Sequence, residues 1–457
     1  MNKHLRTSTY ILILLNLFLV PILYAKTYIG PIPLSVEVIS IPLLVSAVIW
    51  DYSRGNITFN SVNVWPFAIT FGLFSLVAAI SLFDAVSLRT GIMELARFLS
   101  YVAIFFVAVK VSFTREQYFN FAKVFAASTL IIVVYGFLQY IFEMDLNTAG
   151  MYALQDAKGR VYSTMVNPNY YSAFLNYVAP WLLLTAIVYF KDKKMQVATM
   201  IFYGLVVMNL VLTYTRAAWV TMICALILLI LLIPKQFMRN FVKPQIWLSC
   251  VILLGAIMFM PDIQSRTSSA VLAVQSIVFP AKTETQTIVQ KPQTDSEYEQ
   301  LKKVETTNKA VMSRVTLWKT GLYMFRDNPV LGVGIGNYGV RYKDVTAKYP
   351  ELDFGHETYS VHNSYIKVAA ETGILGLITT AAFYIVFFLY LFGLYVKQNN
   401  AIGKVVAVSI IIGSITFMVQ NLSNNLIFIP QLNIIFWLVG GLSIAFLQQN
   451  QKRIQVA

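Results

Sequence analysis

Apolar runs of around 20 residues recur along this chain, each long enough to cross roughly 30 Å of hydrocarbon. About twelve can be counted by hydrophobic pattern, near 8–25, 32–50, 62–84, 92–112, 118–142, 169–190, 196–213, 217–233, 245–260, 373–396, 403–422 and 430–448. No other feature narrows the fold as far. Inside a bilayer each backbone N–H and C=O must find its partner within the protein, and a helix satisfies its own. The expectation is an all-α polytopic membrane protein of about twelve transmembrane helices. Composition agrees: 57% of the residues are hydrophobic and 12% charged, against about 25% charged in soluble domains. The first run follows the basic MNKHLR and could pass for a signal peptide. Its apolar core is longer than most signal sequences and many spans follow, so a retained first helix is expected. Trp65, Trp181, Trp219 and Trp437 fall at or near run ends, where interface anchors sit.

A net charge of +14 raises the question of a nucleic-acid partner. The distribution of the charge answers it. With the N-terminus in the cytoplasm and the runs alternating, the inside segments hold Lys3, Arg6, Arg54, Lys110, Arg115, Lys191, Lys193, Lys194, Lys235, Arg239, Lys243, Lys397, Lys404, Lys452 and Arg453. The short outside segments hold only Lys26, Arg89, Lys158, Arg160 and Arg216. This is the positive-inside bias, which puts both termini in the cytoplasm and leaves no surplus charge for nucleic acid. Cys224 and Cys250 fall in or beside apolar runs, so no structural disulfide is expected and the redox compartment is not readable.

This topology leaves two long outer segments, about 143–168 and about 261–363. Within the second, 282–310 is rich in Thr, Gln, Lys and Glu and has too little apolar content for a core. The next stretch, SRVTLWKTGLYMFRDNPVLGVGIGNYG, places Val315, Leu317, Trp318, Leu322 and Phe325 at helical spacing. Ser313 is a candidate cap for that helix, and the Asn-Pro of RDNP stops it. The segment reads as an amphipathic helix on the outer membrane surface or packed over the bundle. The following GVGIGNYG has the look of a phosphate loop, but a dinucleotide fingerprint needs a strand–turn–helix unit. A tight turn that brings backbone close to the membrane or a ligand is expected there.

Three histidines occur in the chain. His362, in VHNSYIKVAAETG, stands just before a short helix expected to start near Asn363 and end at Gly373. The positive end of the helix dipole disfavours its protonated form, so the ring should be neutral near pH 7 with one nitrogen free to accept a proton. A general base needs that nitrogen; a simple helix cap would sit in the same place, and the residues alone leave both open. His356 and His362 in HETYSVH have the wrong spacing for a zinc motif that pairs i with i+4, and no metal site is expected. Arg216 lies between two apolar runs with almost no loop, a costly position unless the charge is paired or snorkels. Arg314, Arg266 and Arg160 fall on the same side of the membrane. Guanidinium forks suit phosphate oxygens, so a pyrophosphate at the outer leaflet would account for the set.

Taken in order, YTRAAWV, SRVTLWKTGLYMFRDNPVLGVGIGNYGVRY and VHNSYIKVAAETGILG resemble the signature of the O-antigen ligase and O-antigen polymerase superfamily, and RVYSTMVNPNYYSAFL is similar to an upstream element. The resemblance covers about 210–380. It implies a membrane glycosyltransferase of the GT-C type whose donor is a glycan on a polyprenyl (undecaprenyl) pyrophosphate and whose acceptor is a glycan or lipid hydroxyl. The family's histidine falls on His362, as the base; its arginines fall on Arg216 and Arg314, as pyrophosphate ligands. Arg266, Arg160, Asn363 and Trp318 are expected as further substrate contacts. Inverting displacement without metal or cofactor is implied, because arginines can neutralise the leaving group. The chain divides on this reading into an N-terminal bundle (1–209), the ligase-like region (210–380) and C-terminal helices (381–457). The 282–310 insertion matches no family motif. Polymerase, ligase to a lipid core and protein O-oligosaccharyltransferase are all open. Ile-, Lys- and Asn-rich usage suggests an AT-rich genome without an outer membrane and favours the polymerase. A transporter is the competing class, but transporters put charge at the midplane of repeated halves, and here the polar cluster lies at one face.

Overall fold

The computed structural model describes residues 7–23, 27–29, 32–34, 36–142, 159–165, 167–258, 314–353 and 360–456. Ser313, Arg266, His356 and the 282–310 insertion lie outside the described residues. In chain order the helices are α1 (Ser8–Ile22), α2 (Val36–Ser53), α3 (Trp65–Ile80), α4 (Leu88–Lys110), α5 (Arg115–Phe142), α6 (Pro168–Leu184), α7 (Lys193–Leu212), α8 (Arg216–Leu232), α9 (Pro234–Phe241), α10 (Pro244–Met258), α11 (314–327), α12 (Tyr338–Lys348), α13 (Ser364–Val396), α14 (Ala401–Gln420) and α15 (Pro430–Val456). Among the described residues, 8 helices are long and apolar enough to cross a membrane: α3 through α7 and α13 through α15. The α8–α9 pair would be one more, but it bends by 106° at Ile233–Pro234. α1 and the apolar parts of α2 and α10 are shorter. The chain is an all-α, multi-pass membrane protein.

One departure is a small hairpin, Thr27–Ile29 paired antiparallel with Ile32–Leu34. The apolar run near 32–50 therefore splits, and its helix starts only at Val36. The sequence IGPIP explains this, since Gly-Pro marks a turn and proline cannot continue a helix.

α6 and α15 form the middle of the bundle, with 83% of their apolar windows buried, and α14 follows at 67%. α6 packs on α14 and α7, α15 on α4, α13 on α3, and α1 on α5. The core is aromatic. Trp437, 2% exposed, stacks on Tyr384 and meets Phe71, Phe105, Phe387 and Phe436 edge-on. It is a core residue rather than the interface anchor that its place in the sequence suggested. Trp65, by contrast, is 73% exposed at the start of α3.

The ends of the bundle differ. At one, α6, α8, α13 and α15 begin and α1, α5, α7 and α14 finish, joined by asparagine- and threonine-rich corners. At the other lie Lys110, Arg115, Lys193, Lys235, Arg239, Lys397 and Lys404. The segment 314–353 caps the first end. Its α11 stops at 327, before Asn328–Pro329, as the sequence indicated. The buried face differs from the expected one. Leu317, Thr320, Gly321 and Met324 turn inward, whereas Leu322 is 47% exposed. A small residue sets this choice: a Cβ at Gly321 would stand 2.6 Å from Ile366 and 2.9 Å from Val361. Close approach of α11 to the start of α13 outweighs the burial of one leucine.

Candidate functional site

The first half of the site is the corner between α7 and α8. Tyr214 takes a left-handed backbone (φ 48°), an uncommon state for a non-glycine residue. That single residue reverses the chain, so Arg216 opens α8 with no loop between. Arg160 braces the corner. Its Nε donates to Thr213 O (2.9 Å), and its Nη2 donates to Thr215 Oγ1 (3.1 Å) and Asn169 Oδ1 (3.3 Å). These bonds hold the turn that carries Arg216. Thr215 is the N-cap of α8, but its side chain makes no capping hydrogen bond. The start of α8, at Arg216, therefore lacks a side-chain cap, and Ala218 N turns back to Thr215 O (3.0 Å).

The second half is the turn before α13. His362 is also left-handed (φ 51°). The cap is Asn363: its Oδ1 accepts from Tyr365 N (3.0 Å) and Ile366 N (3.1 Å). The possibility that the histidine merely caps the helix is thereby removed. Asn363 Nδ2 donates to Leu422 O (3.0 Å), and Ser364 N to Asn421 O (2.9 Å) and Asn424 O (3.2 Å), so the α14–α15 corner clamps the turn from behind. Asn425 adds a bond to Ser360. α13 then breaks at Gly373 (φ 65°, ψ −164°), where the sequence placed the end of the short helix. A Cβ there would lie 2.1 Å from Val330 O, so only glycine fits.

Electrostatics join the halves. The His362 pKa is held down to about 4, first by burial and second by the charge of Arg314. The ring is neutral near pH 7, as expected, with burial the larger cause and the arginine the second. Arg314 opens the described part of α11. It is solvent-exposed but set among protein atoms, and that desolvation, with the charge of Arg216, lowers its own pKa. Arg216, Arg314 and His362 thus sense one another in sequence, though they are far apart along the chain. Trp318, one turn along α11, packs against the small core of Leu317, Met324, Val333, Tyr338, Tyr342 and Val361. Its buried indole N–H has no partner.

The glycine loop after α11 is a staple. Gly332, Gly334 and Gly336 all have positive φ. A Cβ at Gly332 would fall 2.5 Å from Ala370 O. Val333 N donates to Ala370 O (2.9 Å), Ile335 N to Ser81 Oγ (3.1 Å) and Ser87 N to Asn337 Oδ1 (2.8 Å). The backbone approach is to α13 on one side and the α3–α4 corner on the other. Glu371, 1% exposed, accepts from Tyr338 N (3.1 Å) and lies 3.6 Å from Lys367 Nζ. Sequence reasoning missed Lys367, Glu371, Asn421 and Asn424. The run NLSNN between two apolar spans was the available signal for the last two. Among the described residues, no group of three or more His, Cys, Asp or Glu is gathered that could hold a metal.

Arg216, Arg314 and His362 thus gather at one end of the helical bundle, under a small cap. Residues 201–381 match the family model described as O-Antigen ligase, which supports the resemblance to the O-antigen ligase and polymerase superfamily. None of the curated proteins matches the chain. The matched stretch includes Arg216, Arg314, Trp318, His362 and Asn363, whereas Arg160 lies upstream of it.

Proposed function

We propose that this protein transfers or polymerises glycan from a polyprenyl-pyrophosphate donor onto an acceptor hydroxyl, at the outer face of the cytoplasmic membrane, in cell-surface polysaccharide assembly. The observation that carries the reading is the electrostatic chain from Arg216 through Arg314 to His362 inside an O-antigen ligase-type segment. The basic residues at the opposite end of the bundle support the orientation.

The donor pyrophosphate lies against Arg216, Arg314 and the first N–H groups of α8, which supply a cationic fork pair and the positive end of a helix dipole. His362 takes the proton of the acceptor hydroxyl. The acceptor oxygen attacks the anomeric carbon from the face opposite the leaving group, the bond from that carbon to the pyrophosphate oxygen breaks, and the configuration inverts. The lipid pyrophosphate leaves with the bonding electron pair, stabilised by the arginines, and no metal is required for that role. Binding of the dianion also offsets the Arg314 charge that depresses the His362 pKa, so the base strengthens when donor is present. Asn363 orients His362, Arg160 orients Arg216, and Trp318 completes the donor pocket.

Polymerase is the favoured acceptor mode. The test is purified protein given a polyprenyl-pyrophosphate-linked repeat unit alone, with a lipid acceptor, or with a protein acceptor. A ladder of products from the repeat unit alone is the expected result. Transfer only to added lipid or protein would assign a ligase or protein transferase instead. No transfer in any arm, by protein that binds the donor, would overturn the reading.

A further inference from the structure

At the end of the bundle away from the candidate site, a cavity of about 590 Å³ opens between α5, α6, α7, α14 and α15. This is within the size range of small-molecule and lipid-chain pockets. Its walls are apolar, with Phe121, Phe125, Trp181, Phe202, Val405 and Phe446 among them. Among the polar groups in the lining, two stand out. Ser409 is 6% exposed, and its hydroxyl has no hydrogen-bond partner. Lys123 is exposed at the rim. Each stands eight residues beyond the first residue of its helix, Arg115 or Ala401, so both lie at the same depth, about 12 Å in.

The rim carries more charge. Phe190 and Met195 line the cavity from either side of the α6–α7 turn, and that turn holds Lys191, Lys193 and Lys194, all exposed. The one acid there, Asp192, is used as the N-cap of α7, accepting from Met195 N (3.0 Å). Just before the turn, Thr185–Tyr189 forms a π-helical stretch, and Thr185 and Tyr189 both line the cavity. Such stretches are a departure from regular helix that recurs at functional sites. An empty apolar cavity would not hold water well, and an unpartnered hydroxyl in its wall wants an acceptor.

We infer that this cavity is a seat for an anionic glycerophospholipid of the leaflet opposite the candidate site. One acyl chain fills the apolar space, the Ser409 hydroxyl donates to an ester carbonyl oxygen, and the phosphate lies over Lys123 and the lysine turn. Charge complementarity selects the headgroup, because several cations ring the mouth and the nearby carboxylate is engaged. The site is distinct from the proposed transfer site and does not depend on it.

The test uses the full chain in nanodiscs of phosphatidylcholine, with or without phosphatidylglycerol of the same acyl chains, and native mass spectrometry to count retained lipid. Phosphatidylglycerol should be retained over phosphatidylcholine, and Lys123→Glu should weaken its retention at least about tenfold. Ala126→Phe, which fills the cavity from α5, should weaken both lipids alike. Arg239→Glu, on α9 and not among the lining residues, should leave retention unchanged. Equal retention of the two lipids, or unchanged retention in Lys123→Glu, would overturn the inference. Displacement of phosphatidylglycerol by polyprenyl phosphate would assign the cavity to the donor's tail instead. If Ala126→Phe does not fold, the exposed Lys123 variant decides the matter alone.

Discussion

Two helix starts build the candidate site, and they are finished differently. α8 begins with Arg216 after a left-handed Tyr214, and its N-terminus has no side-chain cap. α13 begins after a left-handed His362, and Asn363 caps it doubly. The same backbone device thus serves opposite purposes. An N-terminus without a side-chain cap, beside an arginine, leaves its dipole open to an anion. A doubly capped one spends its N–H groups internally, so the start of α13 itself offers an anion little, and Arg314 is the cation nearest the histidine. On the proposed function, the phosphate would sit at α8 and the base at the turn before α13.

The sharpest way to break this contrast is at the base. His362→Ala should lose about 10²–10⁴ in turnover while donor affinity persists, since a general base acts on the acceptor. Transfer assays and a separate donor-binding measurement check it, and near-normal turnover would end the assignment. Arg216→Ala should lose about 10²–10³ in turnover and weaken donor binding as well, because it removes a leaving-group contact. Lysine at 216 should rescue only in part, keeping charge but not the fork. Undiminished donor affinity in the alanine variant would move the phosphate away from α8.

A finer test uses acidity. His362 in the free protein has its pKa held near 4, below the ordinary value of 6.5. Protonation removes the base, so kcat/KM should hold as pH falls through 6 and fail only towards about 4. In Arg314→Gln the second cause of the depression disappears while burial remains, so the acid limb should move up, stopping short of 6.5. An acid limb that stays in place would mean that Arg314 does not act on the histidine. The smallest effect expected is in Asn363→Ala, which makes the start of α13 resemble that of α8. Thermal unfolding should report a loss of about 1 kcal/mol, with turnover reduced more than donor binding because the histidine is less well oriented. A variant with lowered stability and unchanged turnover would reduce Asn363 to a structural cap.

How far the sequence carried this picture depends on range. The Asn363 start, the Gly373 break and the stop at Asn328–Pro329 were legible, because each is a local rule about which backbone a residue type accepts. Topology put Arg216 and Arg314 on one side of the membrane, and the resemblance joined His362 to them. Nothing in the spacing of 216, 314 and 362 brings them together. The braces were invisible for the same reason: Arg160 on Thr213, Ser364 on Asn421 and Glu371 on Tyr338 are tertiary contacts between ordinary polar residues. Hydrophobicity itself misled twice. Trp437 was taken for an anchor when it is the centre of the core, and Leu322 was assigned to a buried face that the small Gly321 took instead. In both cases packing geometry, which apolarity does not encode, decided the outcome.

The bond between Ser87 and Asn337 spans 250 residues of chain. During synthesis from the N-terminus, the α3–α4 corner exists long before its partner is made. The cap that carries Arg314 can dock only after α3, α4 and most of the later helices are in place, and a loop that long closes slowly. α13 and the asparagine corner behind it follow later still. A partly inserted chain therefore has an arginine without its histidine. On the proposed function, such a ribosome-bound intermediate would be inert, and completion of biogenesis would be the event that switches transfer on.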